Sequence, residues 1–312
     1  MDTPVCSVCK KYSAFYYRQY SGERLCKKCF TSSIEAKVRT TITRYRMLKF
    51  NDHLAVAVSG GKDSLALLYI LAKLRRFRPQ TTLTAVTVDE GIEGYRDEAL
   101  MIADNLCKEL DVSHHVVSFK QLYGFTLDEI IGRVQERGLC ELTPCAYCGV
   151  LRRRAMNVGA REIKATKLAT GHTLDDQTQT VLMNIFRGDI SRLAKDKPMT
   201  DEVHRLFVQK IKPFCEVPEK ESALYAYIKK VGFQDTPCPY ANEALRNDIR
   251  GLLNRLDQKH TGTKFAVFRA VEKLRPALEL TVKKETLVVC SECGEPTSSV
   301  LCKTCEMLHA IR

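Results

Sequence analysis

From His53 onward the apolar positions fall into short continuous runs separated by amphipathic stretches. Leu54–Val58 is an apolar run that reads as a buried strand, and Leu83–Val88, Val112–Phe119 and the short Leu168–Thr170 read as further strands. Between and after them, Ser64–Arg76, Tyr95–Leu110, Gly149–Ala165 and Thr178–Phe186 carry helical periodicity. Strands alternating with helices predict an α/β fold, a parallel sheet covered on both sides. After Pro213 the pattern is helical. Glu219–Val231 closes with Gly232 in a C-cap position, Asn242 can cap a helix running to about Gln258, and Lys264–Leu274 is expected to stop before Pro276. This segment reads as a small helical subdomain carrying Arg246, Arg250, Arg255 and Lys259.

The two ends of the chain repeat each other. Cys6-Ser-Val-Cys9 matches Cys290-Ser-Glu-Cys293, and Leu25-Cys26-Lys-Lys-Cys29 matches Leu301-Cys302-Lys-Thr-Cys305. Each end reads as a zinc ribbon in which four thiolates close a tetrahedral structural site, in preference to free thiols or an iron–sulfur centre. Segments so poor in apolar residues need the metal to fold. The expected organisation is an N-terminal zinc ribbon over 1–32, a basic helical linker over 33–50 (Lys37, Arg39, Arg44, Arg46, Lys49), a nucleotide-binding α/β domain over 51–215, a helical subdomain over 216–285 and a C-terminal ribbon over 286–312.

Composition narrows the class of function. The chain has 312 residues, enough for one substantial core with small appendages, and its 45% hydrophobic and 28% charged content is that of an ordinary globular protein. The net charge of +12 suits a phosphate polymer as partner. The most apolar stretch, Leu54 to Ala72, is interrupted by a polar glycine loop, so no membrane role is expected. The start runs straight into a cysteine knuckle without an export signal, which makes a cytoplasmic location the expectation. Fourteen cysteines in such a setting are expected to hold metal or do chemistry rather than form disulfides.

Two features carry the candidate chemistry. Ser59-Gly60-Gly61-Lys62-Asp63-Ser64 lies where a strand turns into a helix. Glycines there let an anion approach the backbone, and the helix start presents free amides to it. The spacing is not that of a P-loop, so the loop is suited to a pyrophosphate rather than to wrapping a triphosphate. The second feature is Pro144-Cys145-Ala146-Tyr147-Cys148-Gly149, followed far downstream by Pro237-Cys238-Pro239-Tyr240. Three such thiols could form a persulfide-bearing pair, a third zinc site or an iron–sulfur site with one open coordination position. Cys140 extends the spacing towards a ferredoxin-like pattern, and as a fourth ligand it would close that position. Cys140, Cys107 and Cys215 are read as buried small hydrophobes.

Ser-Gly-Gly-x-Asp-Ser after a first strand resembles the PP-loop of the ATP pyrophosphatases, which adenylate a carbonyl or carboxylate and release pyrophosphate. Gly171-His172-Thr173-Leu174-Asp175-Asp176 resembles that family's second signature, at the mouth of the fourth strand. Helix capping would employ one of the two aspartates in any case. With both ribbons, Asn184-Ile185-Phe186-Arg187-Gly188-Asp189, Pro218-Glu219-Lys220-Glu221 and Cys238-Pro239-Tyr240, essentially the whole chain resembles the TtuA-type tRNA 2-thiouridine synthetases, within the group that includes the cytidine thiolases. Two positions depart from the family pattern: Thr173 stands where asparagine is common, and Gln177 where an acidic residue is common.

The resemblance implies a fold, a reaction and a set of residues. ATP would be held by Ala57, Ser59, Gly60, Gly61, Lys62, Asp63, Ser64, Val88, Gly171, His172 and Asp176, with Mg2+ at Asp63 or Asp176. Cys145, Cys148 and Cys238 would ligate an oxygen-sensitive 4Fe–4S cluster with one open iron, and Arg152 would be the basic catalytic residue beside Asp176. The implied reaction replaces the C2 oxygen of a tRNA uridine by sulfur after adenylation. The implied partners are tRNA and a ubiquitin-like carrier ending in a thiocarboxylate, or another sulfide donor; a homodimer is one expected assembly. The rival readings are another PP-loop tRNA-modifying enzyme using a cysteine persulfide, and a non-catalytic zinc-ribbon protein that binds RNA.

Overall fold

A hairpin of two three-residue strands, β1 (Tyr16–Arg18) and β2 (Glu23–Leu25), opens the fold and leads into α1 (Lys27–Arg44). A computed structural model of the chain describes residues 4–75, 80–139, 142–241, 244–282 and 286–312; Cys140 and Asn242 lie outside the described residues. After α1, β3 (His53–Ala57) is followed by α2 (Lys62–Arg75), β4 (Thr82–Asp89) by α3 (Arg96–Leu110), and β5 (Ser113–Ser118) by α4 (Phe119–Tyr123) and α5 (Leu127–Glu136). Next come α6 (Pro144–Glu162), β6 (Lys167–Ala169), α7 (Leu174–Phe186), α8 (Ile190–Lys195) and β7 (Gln209–Ile211). Helices α9 (Glu219–Lys229), α10 (Ala244–Lys259) and α11 (Thr263–Thr281) precede the last hairpin, β8 (Val288–Val289) and β9 (Pro296–Thr297), and α12 (Lys303–Ile311).

The central sheet is five-stranded, in the order β5-β4-β3-β6-β7, and all its pairings are parallel. Alternation along the strands divides the core in two. Leu54, Val56, Leu83, Ala85, Ala169 and Ile211 face one layer with α1, α2, α3 and α9. Ala55, Val86, Val88 and Leu168 face the other, with α5, α6 and α12. Helices cover both faces, as the continuous apolar runs require.

Several element bounds differ from the sequence expectation, each for a local reason. α6 starts at Pro144 rather than Gly149, because Thr143 caps it by accepting from the Ala146 amide at 3.3 Å and proline suits the first turn. Cys145 and Cys148 are therefore helical. α7 starts at Leu174, with Thr173 as its cap. β7 is a polar Gln-Lys-Ile triplet that becomes a strand by pairing with β6. α11 does not stop before Pro276 but runs through it to Thr281. Arg275 is anchored there by the carbonyls of Leu193 and Ala194 at 3.0 and 3.1 Å, and Val271 packs against Val181 and Leu193. The missing proline amide does not outweigh these contacts. α1 passes without a break across residues 32 and 33, and Phe30, Ile34 and Val38 are fully buried, so the basic segment is one wall of the core.

Each cysteine quartet is gathered at one point, with its sulfurs all within 4.8 Å of one another. A tetrahedral zinc–thiolate site has Zn–S bonds of about 2.3 Å, hence sulfur–sulfur edges of about 3.8 Å. Cys9 and Cys26 stand 3.9 Å apart, Cys290 and Cys305 3.8 Å, and Cys293 and Cys302 3.6 Å. Burial opposes ionisation of Cys6, but the amides of Cys9, Cys26 and Val8 draw its thiol down to about 6. The amide of Cys293 leads in bringing Cys290 to about 6 as well. Burial raises Cys29, Cys302 and Cys305 instead, so it is the gathering of four sulfurs that gives both groups the geometry of a structural metal site.

The N-terminal ribbon is fastened to the core by a buried charge. Glu221 on α9 is wholly buried; it accepts from Arg18 Nε at 2.7 Å, from Arg18 Nη2 at 3.3 Å and from the Tyr20 hydroxyl at 2.9 Å, with Lys37 Nζ at 4.0 Å. A buried carboxylate is tolerable only when this well satisfied. Glu221→Ala, which strands Arg18, should lower unfolding free energy by about 3–5 kcal/mol. Lys220→Ala, at the exposed neighbouring position, should stay within about 0.5 kcal/mol. Urea denaturation followed by circular dichroism measures both; a Glu221→Ala value near the Lys220→Ala value would show that the ribbon is not held this way.

Candidate active site

β3 and β6 lie side by side, with Val56 opposite Ala169, but the chain leaves them in opposite directions. From β3 it crosses through α2 to β4, and from β6 through α7 and α8 to β7. Such a reversal leaves a crevice at the carboxyl ends of the two strands, where doubly wound sheets bind ligands. The glycine loop and the second signature are the segments that emerge there. They touch: a Cβ on Gly171 would come 2.9 Å from the Ser64 amide nitrogen and 3.0 Å from the Asp63 carbonyl carbon.

The loop is tightly turned. Gly60 has a φ of +84°, and a Cβ there would lie 2.5 Å from that of Ala99, so a side chain is excluded on both grounds. Ser64 Oγ accepts from the Ser59 amide at 3.1 Å and donates to the Gly61 carbonyl at 2.9 Å, closing the loop on the first turn of α2. Helix-start amides from Lys62 onward then face the crevice as an anion site. Lys62 Nζ lies 3.0 Å from Asp63 Oδ2 and 2.8 Å from Glu219 Oε1. Burial disfavours the Lys62 cation, but Asp63 and Glu219 outweigh it and keep the group charged. Burial raises Asp63 despite Lys62, and its Oδ1 accepts from the Ser222 hydroxyl.

The second signature is organised by capping. Thr173 Oγ1 accepts from the Asp176 amide at 3.3 Å, and Asp176 Oδ2 accepts from the Thr173 amide at 2.9 Å, a reciprocal capping box. Threonine thus supplies the cap that asparagine also could. Asp176 keeps Oδ1 towards Arg246, 3.9 Å away on α10. Asp175 turns inward, where it accepts from the Glu219 amide at 2.7 Å and from Lys264 on α11. Gln177 accepts from Lys212 at 3.0 Å. His172 bonds Thr170 at 2.8 Å and is exposed to the crevice; desolvation by the protein around it and then Lys212 hold its imidazole down to about 4. Ala57 ends β3 at the crevice, whereas the Val88 side chain is buried against the α5–α6 layer and offers the site its carbonyl alone, already bonded to Arg96.

The inner thiols converge from two directions. Cys145 and Cys148 are one turn apart on α6, and Cys238 arrives on the segment after α9. Cys145 Sγ donates to the Tyr240 carbonyl at 3.0 Å, and the Tyr240 hydroxyl donates to Asp128 at 2.7 Å, which seats the Cys238 segment. Burial raises the Cys148 thiol to about 11, with Arg152 opposing and Glu90, Cys238 and Cys145 adding to it; burial also raises Cys238. The three sulfurs thus feel one another, yet they do not close to within 4.8 Å as the two quartets do. That is too open for a preformed mononuclear zinc site and suits a larger group held at its corners. Arg152 follows Cys148 by one turn, half exposed, with Nη1 3.8 Å from the buried Glu90. Cys107 and Cys215 are buried away from the thiol group, and burial raises the former to about 11.

Sequence reasoning missed Glu90, Arg96, Ser222, Gln234 and Lys264, and named Glu219 only within a family motif without giving it a role at the site. Glu90 alone left a usable trace, a carboxylate just past a buried strand in Val88-Asp89-Glu90-Gly91. Of the basic residues expected on α10, Arg246 turns to the site while Arg250, Arg255 and Lys259 are exposed. Among the described residues no helix is long and apolar enough to cross a membrane.

Comparison with known proteins gives consistent answers. The PP-loop domain family matches residues 30–256. The tRNA 2-thiolation protein NcsA of Haloferax volcanii is 36% identical over 98% of both chains. The cytoplasmic tRNA 2-thiolation protein 1 of Laccaria bicolor is 34% identical over all of this chain and 86% of its own length. The structure of the U34-tRNA thiolase NcsA from Methanococcus maripaludis with its [4Fe-4S] cluster superposes with a TM-score of 0.83 at 35% identity, covering 98% of this chain and 96% of that one. Full-length similarity at this level, on a sheet whose switch point gathers both signatures, makes the chain a member of the PP-loop tRNA 2-thiolation family.

Proposed function

We propose that the protein is an ATP-dependent sulfurtransferase that thiolates tRNA, with uridine C2 as the target atom. The observation that carries this reading is the meeting of the glycine loop and the Gly-His-Thr-Leu-Asp-Asp segment at the β3–β6 crevice, with three cysteines tethered beside it. Oxide is a very poor leaving group, so the uridine oxygen first attacks the α-phosphorus of ATP and pyrophosphate departs; sulfur then adds at C2 and AMP leaves.

The loop amides and Lys62 would hold the leaving pyrophosphate, with Mg2+ at Asp63 or at the outward oxygen of Asp176. Arg152 would stabilise charge developing on the displaced oxygen. Cys145, Cys148 and Cys238 fit a 4Fe–4S cluster by their number, softness and open spacing, and three protein ligands would leave one iron available for incoming sulfur. The two cysteine quartets would each hold a zinc ion. The exposed Arg250, Arg255 and Lys259 would meet the tRNA backbone by phosphate contacts. A ubiquitin-like thiocarboxylate carrier is the proposed sulfur donor, in the cytoplasm, with a homodimer as the proposed assembly.

Metal analysis of protein purified without oxygen should find two zinc ions per chain. Cys26→Ser should cost solubility more than chemistry, and disulfides at these positions would overturn the assignment. Lys62→Ala and Asp176→Ala should each suppress tRNA-dependent pyrophosphate release while leaving tRNA affinity within about threefold; thiolation at the normal rate by either would remove that residue from the adenylation site. Cys145→Ala, Cys148→Ala and Cys238→Ala should each lose the broad visible absorption of the reconstituted centre together with thiolation, while retaining ATP binding. Cys140→Ala should keep all three properties. Full activity of metal-free enzyme would instead mean a persulfide carried on cysteine.

A further inference from the structure

The carbonyl and amide of a trans peptide point in opposite directions, so whatever holds the carbonyl aims the amide. In the glycine loop two carbonyls are held from behind. Arg96 Nη1 donates to the Ser59 carbonyl at 3.0 Å, which turns the Gly60 amide the other way. The Gln234 amide donates to the Gly60 carbonyl at 2.9 Å, which does the same for the Gly61 amide.

Both holders lead to the thiol group. Arg96 is buried, also donates to the Val88 carbonyl, and pairs through Nε with Glu90 Oε2 at 2.9 Å. The other oxygen of Glu90, itself only 3% exposed, faces Arg152 Nη1 at 3.8 Å, one turn beyond Cys148. Gln234 is pinned to α3 by its side chain, which donates to the Tyr95 carbonyl at 2.6 Å and to Glu98 at 3.1 Å, and Cys238 follows on the same segment.

We propose that Arg96 and Gln234 are positioning residues that aim the loop amides at the nucleotide, and that Glu90, lying between Arg96 and Arg152, and the Gln234 segment keep Arg152 and Cys238 in register with that loop. This rests on the nucleotide reading of the loop given above. Filling the loop then tightens both thiol-bearing segments, so nucleotide occupancy is felt where sulfur is received. Glu90 faces both arginines by charge: Glu90 Oε2 and Arg96 Nε are buried without a hydrogen-bond partner and Arg152 stands beyond hydrogen-bond distance, so the link between Arg96 and Arg152 is electrostatic.

Hydrogen–deuterium exchange with ATP and Mg2+, without tRNA, tests the coupling apart from turnover. In the natural protein nucleotide should protect 58–64 together with 144–152 and 231–241. In Glu90→Gln, protection of 58–64 should persist while that of 144–152 is lost; in Gln234→Ala, that of 231–241 should be lost. Thiolation kcat should fall about 10- to 100-fold in Glu90→Gln, with KM for ATP changed less than about threefold. In an Arg152→Ala background, Glu90→Gln should add no further loss, since its effect passes through Arg152. Should Glu90→Gln fail to fold, Glu90→Asp, which keeps the charge and shortens the reach, takes its place in the same measurements. Unchanged distal protection in the variants, or additive losses in the double variant, would overturn the proposal. Absence of protection at 58–64 in the natural protein would fail the nucleotide reading itself, a different result from loop protection without the distal segments.

Discussion

The parallel pairing of β3 with β6 is the constraint on which the site depends. Because the connections from these strands run opposite ways, no crossover covers the crevice at their carboxyl ends. The helix starts of α2 and α7 both open into that crevice; the first turn of α2 offers its amides there, while those of Thr173, Leu174 and Asp176 at the start of α7 are held by the capping box and the Val217 carbonyl. Gly171 lets the two segments touch, and neither signature has this geometry without the other.

Around the crevice, distant parts of the chain are fastened by buried carboxylates rather than by apolar contact alone. Glu221 joins the first ribbon to α1 and α9, Asp175 joins α7 to α9 and α11, and Glu90 joins the strand end to α3 and α6. Glu221 and Asp175 repay their desolvation through hydrogen bonds, whereas Glu90 is held by charge, its Oε2 having no hydrogen-bond partner. Apolar packing alone would tolerate small slippages of helix on sheet; these groups do not. The helices that bear the nucleotide, the thiols and the basic surface are thereby held in fixed relation.

The ribbons are likewise parts of the body rather than appendages. α1 grows out of the first quartet and forms a wall of the core, while Met307, Leu308 and Ile311 of α12 pack into the layer shared with α5 and α6. Arg154 on α6 donates to Cys293 at 3.2 Å, so the helix carrying Cys145 and Cys148 is also braced by the second quartet. The cysteine quartets at both ends therefore bear on the centre.

The sequence by itself determined what is local. Runs rich in apolar and β-branched residues marked the first four strands of the sheet, because a strand covered by helices buries such side chains; the edge strand β5, with its two histidines and two serines, was the weakest of them. The knuckle spacing gave the quartets, because two thiols two residues apart already share a metal. Ser59–Ser64 and Gly171–Asp176 were legible because anion binding and capping are properties of a single turn. Tertiary structure decided everything that needed a partner from elsewhere. β7 is a strand only beside β6, and α11 passes Pro276 because Arg275 is anchored on α8. Arg96 and Gln234 look like ordinary polar residues in the chain, and Glu90 is marked only by its place just past a strand; their contacts with carbonyls and arginines elsewhere in the fold give them a role. Such contacts leave no period or spacing behind, because each depends on where two separate elements happen to pack.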